Sequence, residues 1–131
     1  HGMSLLAQLK ILVVDDTTTS RLLLRDALEN LGFRQIHVAA DGEQALKMMM
    51  TAPCHLIISD YNMPKMDGLQ LLKAIRECKP LSRTPFIILT GNADRKVLED
   101  GAKLGLNNYL TKPFTPDNLR RSLEAIVGRL H

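Results

Sequence analysis

Asp15, Asp16, Asp60, Thr90 and Lys112 are the residues of this 131-residue chain whose types and placement suit chemistry. Each stands where an oily run stops: "ILVV" ends at Asp15 and Asp16, "LIIS" at Asp60, "FIIL" at Thr90 and "NYLT" at Lys112. Three carboxylates gathered in one small pocket raise one another's pKa unless a cation is supplied. Hard oxygen ligands without Cys or His favour Mg2+ over zinc, because Mg2+ takes octahedral oxygen coordination and keeps several waters. Asp15 and Asp16 then form a metal cradle. Asp60 can touch the metal with one oxygen and offer the other to phosphorus as a nucleophile, which gives an acyl phosphate. Lys112 supplies a second, point-like cation to the phosphoryl oxygens, and the Thr90 hydroxyl can donate to another of them.

Taken singly, each residue has a plainer explanation. An Asp after a strand commonly caps the next helix, so Asp16 or Thr17 could do only that ahead of the Leu22-to-Leu31 stretch. A Lys before a proline is commonly solvated. Capping does not explain why all five residues fall at the same ends of successive strands. In open α/β sheets ligands bind outside the carboxyl ends of the strands, where strand order reverses. Polar residues from four strands then converge on one crevice.

The elements that must position them follow from the hydrophobic pattern. Apolar, β-branched runs recur at Ile11 to Val14, Ile36 to Ala39, Leu56 to Ile58, Phe86 to Leu89 and, more weakly, Asn108 to Leu110. Continuous apolarity predicts strands covered on both faces, as in parallel sheets. Between the runs, apolar residues step by three and four. Leu24, Ala27, Leu28 and Leu31 do so and stop at Gly32, a natural helix-ending residue. Leu119, Leu123, Ile126, Val127 and Leu130 do so after Thr115, an expected N-cap, and Pro116 in the first turn. "DGEQALKMMM" from Asp41 and "DGLQLLKAIREC" from Asp67 open with Asp-Gly and become helical, while "ADRKVLEDGAKLG" reads as a less apolar helix ending at Gly105. One or two of Met48, Met49 and Met50 are expected in the core, since three consecutive positions cannot share one helix face. Strand and helix alternate five times. The fold class is therefore α/β of the (βα)5 kind, a doubly wound five-stranded parallel sheet with helices on both faces.

Composition sets the outer bounds. At 45% hydrophobic residues the chain can bury a core without disulfides or structural metal. One compact domain over residues 4–131 is expected, with His1-Gly2 ahead of Met3 read as a tag remnant. Cys54 and Cys78 lie in no metal-type cluster and read as reduced structural thiols of a cytoplasmic protein. No apolar run approaches the ~20 residues that span a bilayer, and no secretory leader pattern opens the chain. A net charge of +3 permits nucleic-acid binding. Its strongest basic feature, Arg120-Arg121 with Arg129, carries no interleaved aromatics or recognition motif, so no nucleic-acid partner is expected.

With "ILVVDD", "ISDYNMPKMDG", "PFIILTGN" and "YLTKPF" assembled, the chain from Lys10 to Leu130 resembles the receiver domain of two-component response regulators, in particular free-standing chemotaxis members. The resemblance implies a flavodoxin-like sheet of order 2-1-3-4-5, a doubly wound order for which such receivers are themselves a known example. It implies Asp60 as phospho-acceptor from a histidine kinase phosphohistidine, with Mg2+ as cofactor. Asp15, Asp16, Asp60 and the backbone carbonyl of Asn62 are the implied metal ligands, and Thr90 and Lys112 the implied phosphate-sensing partners. Also implied are a cis Lys112-Pro113 bond and Tyr109 as an aromatic switch that follows Thr90; the plainer reading of Tyr109 is a half-buried strand tyrosine. Partners would be a histidine kinase and a downstream protein, the flagellar motor switch by analogy, bound through the fourth helix, fifth strand and fifth helix by a monomer. Such a domain is no enzyme, but a signalling module that takes part in its own phosphorylation and dephosphorylation. Thr17 follows the acid pair where receivers vary, Asn62 and Asn92, two places beyond Asp60 and Thr90, resemble tuning positions for dephosphorylation, and Gly91 is small enough to suit phosphate access.

The chain stops after its fifth helix, which reads as a free-standing regulator; a receiver excised from a longer regulator would read the same. Two other readings compete. A haloacid-dehalogenase-like phosphatase wants its nucleophile at the end of the first strand with another Asp two positions on, where this chain has Thr17. A flavin-binding module would use Thr17 to Ser20 as a phosphate loop, but the stretch lacks glycine and follows two acids.

Overall fold

The computed structural model describes residues 5–91 and 95–128; Asn92, Arg129, Leu130 and the expected tag remnant lie outside them. A short helix α1 (Leu5–Gln8) precedes the alternation β1 (Lys10–Val14), α2 (Thr18–Leu31), β2 (Gln35–Ala39), α3 (Gly42–Thr51), β3 (Leu56–Asp60), α4 (Gly68–Glu77), β4 (Phe86–Thr90), α5 (Arg95–Lys103), β5 (Asn108–Thr111) and α6 (Pro116–Val127). The strands are parallel in the order β2-β1-β3-β4-β5.

The two-residue period of a strand divides the core in two. Leu12, Val14, Ile57, Phe86 and Ile88 point to one face, where Ala45 and Met49 of α3 and Leu71, Leu72 and Ile75 of α4 cover them. Ile11, Val13, Leu56, Ile58, Ile87 and Leu89 point to the other, under Leu24 and Leu28 of α2 and Leu119 and Leu123 of α6. Each Val, Leu, Ile, Phe or Met side chain among them, fully buried, contributes about 1.5–3 kcal/mol. Burial on both faces holds for β1, β3 and β4 but not for β2, where His37 and Val38 are exposed. As an edge strand β2 is covered less completely than its apolar composition suggests.

Helix ends follow their sequence signals. Gly32, at φ 114°, terminates α2 with its N–H on the Glu29 carbonyl. Asp41 accepts from the Gln44 N–H, Asp67 forms a reciprocal capping box with Gln70, and Thr115 accepts from the Asn118 N–H ahead of Pro116. Of the three methionines, Met49 is buried, Met48 packs on the core and Met50 is exposed. Two short elements carry no strong sequence pattern. They are α1 and a single 3-10 turn at Lys79–Leu81, each held by one buried leucine, Leu6 and Leu81. Both cysteines are free thiols, and burial pushes the Cys54 thiol pKa up. Arg120 pairs with Asp117 and Glu124 and Arg121 with Asp117, so two acids of α6 offset its basic pair. No helix among the described residues is long and apolar enough to cross a membrane.

Candidate functional site

Parallel register delivers the chemical residues to one edge. Val14 is level with Ser59, Asp60 with Leu89, and Thr90 with Thr111. Asp15 and Asp16 therefore leave β1 beside Asp60, Thr90 ends the next strand, and Lys112 follows β5 with its N–H on the Thr90 carbonyl at 2.8 Å. The order reverses between β1 and β3, which is where a doubly wound sheet opens a crevice. Carboxylate oxygens of Asp15, Asp16 and Asp60 all lie within 4.8 Å of one another. Lys112 Nζ stands 3.1 Å from Asp60 Oδ2 and 3.7 Å from Asp15 Oδ2. Asp15, Asp60 and Thr90 are buried, at 1%, 7% and 3% exposure, while Asp16 is exposed at the rim.

Local bonds explain how Asp15 is aimed. The Thr17 N–H donates to Asp15 Oδ1 at 2.9 Å, and Arg21 Nη1 donates to the Asp15 backbone carbonyl at 2.7 Å. Asp15 Oδ2 is thereby left facing Lys112, buried and without a hydrogen-bond partner. The same arrangement settles how α2 begins. Thr17 occupies the N-cap position, but its side chain makes no capping bond, and Asp16 is not the cap. Asp16 instead remains with the acidic cluster.

Electrostatics at Asp60 reflect the crowding. Burial pushes its carboxyl pKa up, the Lys112 ammonium draws it back through a hydrogen bond and its charge, and Asp15 and Asp16 push it up again. Three carboxylates face one ammonium, so negative charge stays in excess. An all-oxygen donor set, close spacing and a buried carboxylate oxygen lacking a hydrogen bond fit a hard divalent cation such as Mg2+.

The loop after β3 adds features that pattern reading did not isolate. Gly68 donates its N–H to the Tyr61 carbonyl at 2.8 Å, and a Cβ there would fall 2.7 Å from the Asp60 carbonyl oxygen. The Gly of "MDG" is therefore required by close approach of α4 to Asp60, beyond opening a helix. Lys65 adopts φ 68° in the same loop, and Asn62 is exposed on it. Ser59, fully buried, donates its hydroxyl to the Asp60 carbonyl at 2.9 Å. The Lys112-Pro113 bond is cis, as the resemblance implied. Tyr109 is apart from the acidic cluster. It is 42% exposed on β5, beside Leu98, Ala102 and Leu106.

A doubly wound α/β sheet with an acidic pocket at the carboxyl ends of its central strands defines the class of protein. The chain belongs to the response regulator receiver domain family, which matches residues 11–124. It is 51% identical to the probable chemotaxis protein CheY of Rhizobium etli, over 98% of this chain and 99% of that protein. Among solved structures, chemotaxis protein CheY4 of Vibrio cholerae superposes with a TM-score of 0.85 at 34% identity, covering 91% of this chain and 98% of that one. The receiver domain of sensor histidine kinase PA1611 from Pseudomonas aeruginosa, solved with a magnesium ion in its active-site cleft, superposes with a TM-score of 0.82 at 32% identity. Coverage there is 92% of this chain and 98% of that one. The chain is thus a CheY-like receiver of two-component signalling, and neither the phosphatase nor the flavin-binding reading survives.

Proposed function

We propose that this receiver accepts a phosphoryl group on Asp60 from the phosphohistidine of a histidine kinase and thereby switches a protein-binding face in a chemotaxis pathway. The observation that carries the reading is the buried Asp60 carboxylate, held 3.1 Å from Lys112 Nζ with Asp15 and Asp16 close beside it.

In this reading an Asp60 carboxylate oxygen attacks phosphorus, the phosphorus–nitrogen bond breaks, and its electron pair stays on the departing imidazole. An acyl phosphate forms. Asp15, Asp16, Asp60 and the Asn62 backbone carbonyl would hold Mg2+, which when bound would offset charge on the phosphoryl oxygens. Lys112 exchanges its pairing with the Asp60 carboxylate for one with a phosphoryl oxygen, and Thr90, two strands from Asp15, turns its hydroxyl toward another. Movement of Thr90 frees space that the Tyr109 ring follows, which biases the surface of α5, β5 and α6 between two arrangements. A downstream protein reads that surface, and the flagellar motor switch is the partner that the chemotaxis relatives suggest. The magnesium-bound PA1611 receiver supports the metal assignment.

Acetyl phosphate labelling tests the reading. With Mg2+ the wild-type chain is expected to incorporate phosphate, and Asp60→Asn to incorporate none. Labelling of Asp60→Asn at the wild-type rate overturns it.

A further inference from the structure

At the far end of α4 from Asp60, Arg76 forms the most complete polar node among the described residues. Its Nε donates to the Leu104 carbonyl at 3.0 Å. Nη1 donates to the Ser82 and Thr84 carbonyls at 3.2 and 2.7 Å. Nη2 donates to the Gly105 carbonyl at 3.0 Å and to Asn107 Oδ1 at 3.2 Å. A guanidinium has five N–H donors in a fixed planar fork, and here all five are used. No carboxylate among the described residues pairs with it. Burial lowers the Arg76 pKa, as expected when a cation leaves water without a counter-charge. A lysine, with three donors on one nitrogen, could not satisfy five acceptors in this way.

Those loops matter because of what they join. Ser82 and Thr84 lead into β4, while Leu104 to Asn107 connect the end of α5 to the start of β5. Asn107 Oδ1 also accepts from the Phe86 N–H at 2.9 Å, tying the two strand starts together. Leu106 sits against Gly101 of α5, where a Cβ would fall 2.8 Å from Leu106 Cδ2. The node therefore sets how α5 meets β5, the strand that carries Tyr109.

The near end of α4 is seated just as tightly on the acidic site. Gly68 packs against the Asp60 carbonyl, and the Asp67–Gln70 capping box fixes the first turn. Between the ends, Leu71, Leu72 and Ile75 are fully buried against the sheet. From Gly68 to Arg76 the helix spans about 12 Å at 1.5 Å per residue. Capped at its start, packed on the core between and tied down at Arg76, the helix is held along its whole length.

We propose that α4 is a rigid link between Asp60 and the α5–β5 junction, with Arg76 as its far anchor, so that the chemical state of Asp60 and the placement of Leu104 to Asn107 are energetically coupled. This second route, independent of Thr90 and Lys112, rests on Asp60 being the phospho-acceptor. Coupling is reciprocal, so altering the anchor must change the affinity of the distant site.

The experiment is a beryllofluoride titration with Mg2+ on the full chain, followed by backbone amide NMR, for wild type, Arg76→Lys and Asn107→Asp. Arg76→Lys keeps the charge but loses the fork. Asn107→Asp keeps both accepted hydrogen bonds and adds an ion pair to Arg76. The midpoint is expected to shift about three- to tenfold in Arg76→Lys and in the opposite direction in Asn107→Asp, with Leu104 to Asn107 amides responding to the adduct in wild type. A purely structural anchor moves only the melting temperature. Equal midpoints in the folded variants, or shifts of the same sign in both, overturn the coupling while leaving the function intact. A wild-type chain that forms no adduct removes the functional reading and the coupling with it.

Discussion

Both ends of α4 bury charge, and they do so in opposite ways. At the Arg76 end one guanidinium satisfies every donor with a carbonyl or amide oxygen. At the Asp60 end three carboxylates share one ammonium, and a buried oxygen of Asp15 has no hydrogen bond. Satisfied burial costs little and holds a fold in place. Unsatisfied burial costs stability and persists only where something else is meant to bind. The difference separates scaffold from site without reference to any relative.

Removing charge at the two ends should accordingly have opposite signs. Arg76→Ala strips five hydrogen bonds and leaves the half-buried Ser82, Thr84 and Leu104 carbonyls, the more exposed Gly105 carbonyl and Asn107 short of a donor. A loss of about 3 kcal/mol is expected, roughly 10 °C in thermal melting. A drop of only a degree or two would show that water replaces the guanidinium at no cost.

Asp60→Asn should do the reverse on a smaller scale. Without Mg2+ near neutral pH it is expected to raise stability by about 1 kcal/mol, roughly 4 °C by calorimetry. The sign follows from the raised pKa of Asp60. A carboxyl whose folded pKa lies above its unfolded value favours the folded state in its protonated form. That favourable contribution is full below the unfolded pKa and lost as pH rises through the folded one. The advantage of Asn over Asp therefore grows with rising pH and vanishes in acid. A gain independent of pH would mean that shape and not charge governs the pocket.

The same contrast explains what could be read from the chain alone. Asp15, Asp16, Asp60, Thr90 and Lys112 announce themselves, because each is polar directly after an apolar run and parallel register puts such positions level. Arg76 does not. It is one basic residue in an amphipathic helix, and its partners are mostly backbone carbonyls as far as 29 positions away, which no side-chain pattern reveals. Gly68 was legible as part of a helix start but not as a neighbour of Asp60, since that depends on how α4 docks. The exposure of β2 depends on its place at the sheet edge, and α1 and the turn at Lys79–Leu81 are each fixed by a single buried leucine. In each case tertiary packing supplies what local sequence omits.

The unmet charge of the acidic pocket is tested most directly by Mg2+ itself. Differential scanning calorimetry of the wild-type chain in EDTA and in saturating Mg2+, beside Asp15→Asn, measures it. Mg2+ at ten times its dissociation constant is expected to raise wild-type stability by about 1.4 kcal/mol and to do markedly less for Asp15→Asn. Identical melting of the wild-type chain with and without Mg2+ would contradict the account.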